Sequence, residues 1–594
     1  MRGLCLSWLI VLSELIFTTT ATDELVRSPV VQTKYGPVQG VIRKDHYEFR
    51  SVPYSKPPIG HLRFKVPEEP DPWTDTLDTV KFPEYCIQYN VFWNSTEGTE
   101  DCLYLSIFTP KLPTSENEKS KLPVMVYIHS GGFMFGRGAQ FRGDYLMEHK
   151  NVVLVVFHYR LGSLGFLNTG DEESFGNMGM KDQMQALRFV QENIANFAGD
   201  EDRVMIFGTS AGSASVHYHI ISPMSKGLFH TALSASGSAL NPWAFQPNPI
   251  PNGKKLGQFL NCPVDNSKDL VECLRTKDAH DIAFTHSLFL HITNRHRIQN
   301  FYSDPIAAFG PSIENGNPDP STRFLSDTPR NIIEKGAVNE VPWIIGYCKI
   351  KDLVIFMNKF DTDEGYEHTL GIVKSQSLLE RLNTKWEEVF PITLEYVNEP
   401  PELQSRISKK VREFYFDNLP INADNPKNLS NAYSDKTFIH GIIEAARLHA
   451  KLGKVDSHPV YLFNFGYEGS HSIVTLRGHS RDGFVANHMD DIQYLLTTFL
   501  FPFIEPEARD RPFQQKYIKM ITDFVATGKI SAFDEDRPND IWEPLNTDGK
   551  IRYYHITETP RMESISKQFT NRVNFWNSFP LREYQVTTAA KDEL

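Results

Sequence analysis

Three short stretches carry the residue types that acyl transfer to a side-chain hydroxyl requires. Val204-Met-Ile-Phe207 runs into Gly208-Thr209-Ser210-Ala211-Gly212 and then into a helical pattern through Ile220. Strand, sharp turn and helix are the context of a G-x-S-x-G elbow, where the glycines permit a strained turn that holds the serine hydroxyl clear of the backbone. The N-terminus of the following helix favours developing negative charge. The pentapeptide alone is weak, since composition gives it to about one chain of this length in seven. His129-Ser130-Gly131-Gly132-Phe133 adds a glycine pair that lets backbone N–H groups approach a tetrahedral oxyanion closely. His488, followed by Met489, Asp490 and Asp491, offers a neutral imidazole as base. Serine first and histidine last is one of the chain orders in which such pairs occur.

Positioning these groups requires rigid elements, and the central chain supplies them. Val124-Met-Val-Tyr-Ile128, Val152 to Phe157 and Val204 to Phe207 are continuous apolar runs bounded by turn residues. Strands buried on both faces read this way, which predicts a parallel sheet between helix layers. Met180 to Ala195, rich in Gln, Ala, Leu and Val, predicts a crossover helix. The segment from about Asp265 to Asp363 is irregular and suits long loops and short helices over one face of the sheet. No internal repeat, low-complexity tract or linker composition interrupts the chain, which favours one large α/β unit over several beads.

The chain has 594 residues, 40% of them hydrophobic, enough for a large core and unlike a disordered or fibrous sequence. Sixty-one Lys and Arg against seventy-three Asp and Glu leave a formal charge of −12, so nothing general attracts nucleic acid or an anionic membrane. Residues 1–21 read as a signal peptide: Met1-Arg2, an apolar run from Leu4 to Phe17, then small residues to Ala21. Lys591-Asp592-Glu593-Leu594 is the address read by the KDEL-retrieval receptor. Together they imply residence in the endoplasmic reticulum lumen, with partial secretion as the alternative. No later run is long and apolar enough to span a bilayer. Cys86 and Cys102, and Cys262 and Cys273, are neighbours in sequence, so two local bridges are the simplest pairing, although four cysteines allow three. Cys348 is left as a free thiol, and Asn94 and Asn428 head glycosylation sequons in polar surroundings.

The ordered motifs resemble the type-B carboxylesterase family, which includes the cholinesterases, and within it are closest in flavour to insect esterases. The likeness runs from about Val30 to beyond Glu563. It includes Glu100 to Leu105, Tyr159 to Phe166, Gly176 to Gln183, Ile221 to Phe229, Ser236 to Ser238 and His488 to Tyr494. The resemblance implies an α/β-hydrolase fold over residues 22–590, with Ser210 as nucleophile and His488 as its base. It implies oxyanion donors at Gly131, Gly132 and Ala211, an acyl-pocket aromatic at Trp243, and the same two disulfides. No metal or organic cofactor is implied, and the partner is a small-molecule ester.

Three positions depart from the family pattern. Thr209 replaces the usual Glu before the nucleophile, and Ser130 replaces the first glycine of an H-G-G-G run. The catalytic acid, counted without gaps from Gly346, falls on Lys351, with Asp352 next. Lysine has only donors and the wrong charge to orient an imidazole. Three readings follow: an active serine esterase for lipophilic or xenobiotic esters with Asp352 as the acid, the same enzyme with another carboxylate as acid while Lys351 and Asp352 form a solvated pair, or a weakly active or inactive esterase-fold protein that binds or sequesters esters or a luminal partner.

Overall fold

The computed structural model describes residues 26–90, 95–114, 120–291, 307–348, 376–422, 426–453, 457–476, 486–534, 536–537, 540–546 and 550–581. Residues 1–21 and 591–594, Asn94, Lys351 and Asp352 lie outside them.

Twelve strands line up in one sheet: β1 (Arg27–Gln32), β2 (Pro37–Arg43), β3 (His46–Pro53), β4 (Tyr104–Thr109), β5 (Leu122–Ile128), β6 (Val153–Phe157), β7 (Gly199–Thr209), β8 (Thr231–Ala235), β9 (Trp343–Cys348), β10 (Val460–Phe465), β11 (Arg552–Ile556) and β12 (Arg561–Ser564). Their order is β1-β2-β3-β4-β6-β5-β7-β8-β9-β10-β11-β12, with the short strand Leu77–Asp78 beside β2. From β6 to β11 every neighbouring pair is parallel, while the outer pairs at both edges are antiparallel. All of Val124 to Ile128 and Val153 to Phe157 is buried, as an apolar run covered on both faces must be.

The expected crossover helix is α1 (Met178–Asn193), and the helix after the elbow is α2 (Ala211–Ile221). The segment expected to be irregular contains α3 (Ala279–His291), but it also contributes β9, a central strand. Gly346 inside the run and Pro342 just before it hid that strand in an irregular stretch. The α4 helix (His440–Ala450) packs on β9 and β10.

Helices Trp386–Thr393 and Pro401–Phe416 build a second, smaller apolar cluster with α5 (Lys567–Asn577). Arg572 on α5 donates to the buried carboxylate of Asp435 at 2.6 Å, and Tyr415 Oη donates to the same group at 2.8 Å. Trp576 Nε1 donates to Tyr415 Oη at 2.9 Å, which closes the network.

Both expected disulfides are present, Cys86–Cys102 and Cys262–Cys273, and Cys348 is a buried free thiol. Asn428 stands half-buried in the helix Pro426–Ser434 beside the buried Leu429, less open than its polar sequence context suggests. Among the described residues no helix is long and apolar enough to cross a membrane.

Candidate active site

The site forms where two adjacent parallel strands end. Gly208 on β7 stands in register with Ile128 on β5, so the elbow and the glycine loop leave the sheet side by side. Ser210 takes φ 59° and ψ −120°, a conformation that L residues adopt only under constraint. Its amide donates to Ala235 O at 2.9 Å, and its carbonyl accepts from Ala214 N at 2.9 Å, which fix the turn from both sides. Glycine is needed at 212 because a Cβ there would lie 1.9 Å from Ile128 O, and at 237 because one would lie 2.3 Å from Ser210 O.

Gly131, Gly132 and Phe133 all have positive φ, at 119°, 62° and 64°. The loop closes on itself through Met134 N and Phe135 N, both donating to Gly131 O at 3.0 Å. Tyr159 Oη holds His129 O at 3.1 Å, and the His129 and Tyr159 rings stack at 4.3 Å. Among the described residues the amide N–H groups of Gly131, Gly132 and Ala211 donate to no protein acceptor, which leaves them open to an incoming oxygen. Replacing the first glycine by Ser130 does not remove them. The Ser130 hydroxyl sits 3.7 Å from Met489 Sδ.

This contact joins the glycine loop to the histidine loop. His488 lies in a tight turn whose Asp490 carboxylate accepts from Asn487 N at 2.8 Å and from Ile473 N at 2.9 Å. Burial pushes the His488 imidazole down to about 3, so it rests neutral at physiological pH, the form that can accept a proton. Its ring meets Phe438 edge to face at 5.2 Å between centroids. Phe438 in turn stands 5.3 Å from Trp243, and Trp243 stands 6.4 Å from Phe133. One aromatic chain therefore runs from the histidine to the glycine loop.

Sequence reasoning missed Phe438. It sits in a π-turn, Asp435–Ile439, whose loosened carbonyls accept side-chain donors. Thr437 O takes Trp243 Nε1 at 2.8 Å and Asn241 Nδ2 at 2.9 Å, and so fixes the indole that the sequence placed at the acyl pocket. The run reads as ordinary helix, and no local signal marks it. Behind Ser210, Thr209 faces the hydroxyl of Tyr127, and the buried Asp491 carboxyl, pushed up to about 6 by burial, lies close to Tyr127. The Cys348 thiol, at the end of β9, bears on the same carboxyl.

Two of the recurring motifs meet in a buried ion pair. Arg160 Nε and Nη2 donate to Asp182 at 2.8 and 2.7 Å, and the Arg160 amide adds a third bond at 3.0 Å. Asn177 Nδ2, one residue before α1, donates to Ser312 O at 2.7 Å. Together these bonds lock α1 against the loop that follows β6.

The carboxylesterase family model matches residues 27–576. The chain belongs to the carboxylesterase family. It is 35% identical to venom carboxylesterase-6 of Apis mellifera over 571 residues, 94% of this chain and 95% of that protein. It is 33% identical to the juvenile hormone esterase of Tribolium castaneum, over 93% and 94% of the two chains. Esterase E4 of Myzus persicae is also 33% identical, over 92% and 95%. The crystal structure of juvenile hormone esterase from Manduca sexta superposes with a TM-score of 0.78, covering 93% of this chain and 99% of that one at 24% identity. Family and relatives make the chain a carboxylic ester hydrolase, and the superposition establishes the α/β-hydrolase architecture.

Proposed function

We infer that this family member cleaves lipophilic or xenobiotic carboxylic esters through an acyl-enzyme on Ser210, with His488 as base. The observation that carries the reading is the strained Ser210 elbow beside a glycine loop whose amide N–H groups are unused. Ser210 Oγ attacks the ester carbonyl as its proton passes to His488. The tetrahedral oxyanion takes the N–H groups of Gly131, Gly132 and Ala211. The alcohol leaves with the proton from His488, and water, deprotonated by His488, releases the acid. Trp243 walls the acyl side. Asp352 is the carboxylate we assign to steady the imidazolium. The mature enzyme works in the endoplasmic reticulum lumen, on the reading of residues 1–21 and 591–594.

A burst experiment with p-nitrophenyl acetate and butyrate, beside Ser210→Ala, tests this. A stoichiometric burst followed by steady turnover, absent in the variant, is the expected result. A burst that stalls would favour the sequestering protein that Lys351 suggests. No difference between the two proteins would overturn the serine mechanism.

A further inference from the structure

A partly open cavity of about 20 Å³ lies beside the glycine loop, between α3, the 161–164 turn and the segment around Tyr89. Most of its wall is apolar, Met134, Leu161, Ile282 and Phe309 among it. Two of these connect it to the chemistry. Met134 is two residues from Gly132, and Phe309 precedes Gly310, where a Cβ would touch the Phe133 ring at 3.7 Å.

Into this apolar space face polar groups with very different situations. Gln88 is fully used: its amide nitrogen donates to Cys86 O and Gly136 O at 2.8 and 3.0 Å, and its oxygen accepts from Gly136 N at 2.7 Å. Thr285 Oγ1 donates to Ile282 O at 2.6 Å. His286 is different. Only 7% of it is exposed, its ring meets Tyr89 edge to face at 5.9 Å, and its Nδ1 is buried without a hydrogen-bond partner. Burial pushes the imidazole down to about 3, so at neutral pH it keeps one N–H and one lone pair. A buried ring nitrogen left unpaired costs stability and does nothing for packing that a leucine would not do. Ser163 lines the same wall. The space admits a water-sized group and little more.

We propose that His286 forms a polar subsite, in which a single ether, hydroxyl or carbonyl oxygen on the chain of an otherwise apolar ester is held beyond the scissile carbonyl. This deepens the esterase reading and rests on it. A neutral imidazole suits such a group because it can donate to an ether oxygen or accept from a hydroxyl, and the apolar walls reject charge. His286 is a specificity-determining residue and takes no part in bond making.

The test uses two ester series with the full-length enzyme: p-nitrophenyl octanoate with oxa-analogues in which one methylene becomes oxygen, and octyl acetate with the same replacements in the alcohol. Within each protein, kcat/KM for each oxa-ester is divided by that for its alkyl parent, which cancels any common loss of activity. At one oxygen position the ratio should be roughly tenfold higher in the wild type than in His286→Leu. His286→Gln, which keeps a donor and an acceptor, should recover part of it. Ser163→Ala, on the same wall, gives a second reading should the leucine variant not fold, and should lower the ratio at that same position. Equal ratios at every position in wild type and variants would overturn the subsite. Absence of turnover of the alkyl parents by the wild type would instead overturn the esterase reading on which it stands.

Discussion

Phe438 turns the edge of its ring to His488 at 5.2 Å between centroids, from a π-turn that also fixes Trp243 through Thr437 O. The His488 ring is therefore held by packing from outside its own loop. Phe438→Ala should lower kcat by roughly threefold to tenfold, the worth of one edge-to-face pair, with KM less affected. Steady-state kinetics on p-nitrophenyl butyrate measure it. An unchanged kcat would reduce Phe438 to a spacer.

At the elbow the constraint is steric and has no soft neighbour to absorb it. A Cβ on residue 212 would meet the backbone oxygen of Ile128 at 1.9 Å, so Gly212→Ala must push β5 and α2 apart. The expected cost is about 3 kcal/mol or more in denaturant unfolding, together with loss of the acylation burst. A variant with wild-type burst amplitude would show that the elbow tolerates this displacement.

Stability should fall in mild acid. Burial lowers His129 and His440 to about 4 and His158, His219, His286, His449 and His488 to about 3, with His217 also well below its ordinary value. Below about pH 6.5 the unfolded chain binds protons that the folded chain refuses, and the stability each group contributes is lost as pH drops toward its folded pKa. The slope is about 1.4 kcal/mol per pH unit for each histidine. Melting temperature should drop steadily from pH 6.5 to 5. A flat profile over that range would contradict the neutral burial of these rings.

Cys348 is fully buried, and its thiol is pushed up by burial and by the neighbouring Asp491 carboxyl. Thiolate, the reactive form, is absent at neutral pH. In a chain beginning at residue 22, Ellman's reagent should find no thiol in the native protein and one after denaturation without reductant. Rapid reaction of the native protein would show that the β9 end opens in solution.

Asp182→Asn removes the charge opposite the buried Arg160 while keeping the shape. Breaking such a pair on one side typically costs about 3–5 kcal/mol. Chemical denaturation should show that loss, and a shift under about 1 kcal/mol would mean water reaches Arg160.

Much of this was legible in the residues. Continuous apolar runs announced β5 to β7, because strands covered on both faces have no polar side to show. The elbow and the glycine pair were legible because tight turns and close backbone approach restrict residue choice to glycine. What stayed hidden depends on contacts between distant segments. Nothing local distinguishes Phe438 from other helical aromatics, and His286 reads as one apolar-face histidine of α3 until the cavity beside it is seen. β9 was concealed for a related reason: its neighbours in space, β8 and β10, are far away in sequence.

The Arg572–Asp435 pair also has a consequence in time. Every strand of the sheet is synthesised before Lys567, the first residue of α5. A chain whose C-terminal stretch is still inside the ribosome has most of the scaffold, the elbow and the histidine loop, but the carboxylate of Asp435 still lacks its guanidinium, two residues from Thr437 and three from Phe438. Ester cleavage should then be the last property the chain acquires, and a cut just ahead of α5 should cost turnover before it costs the sheet.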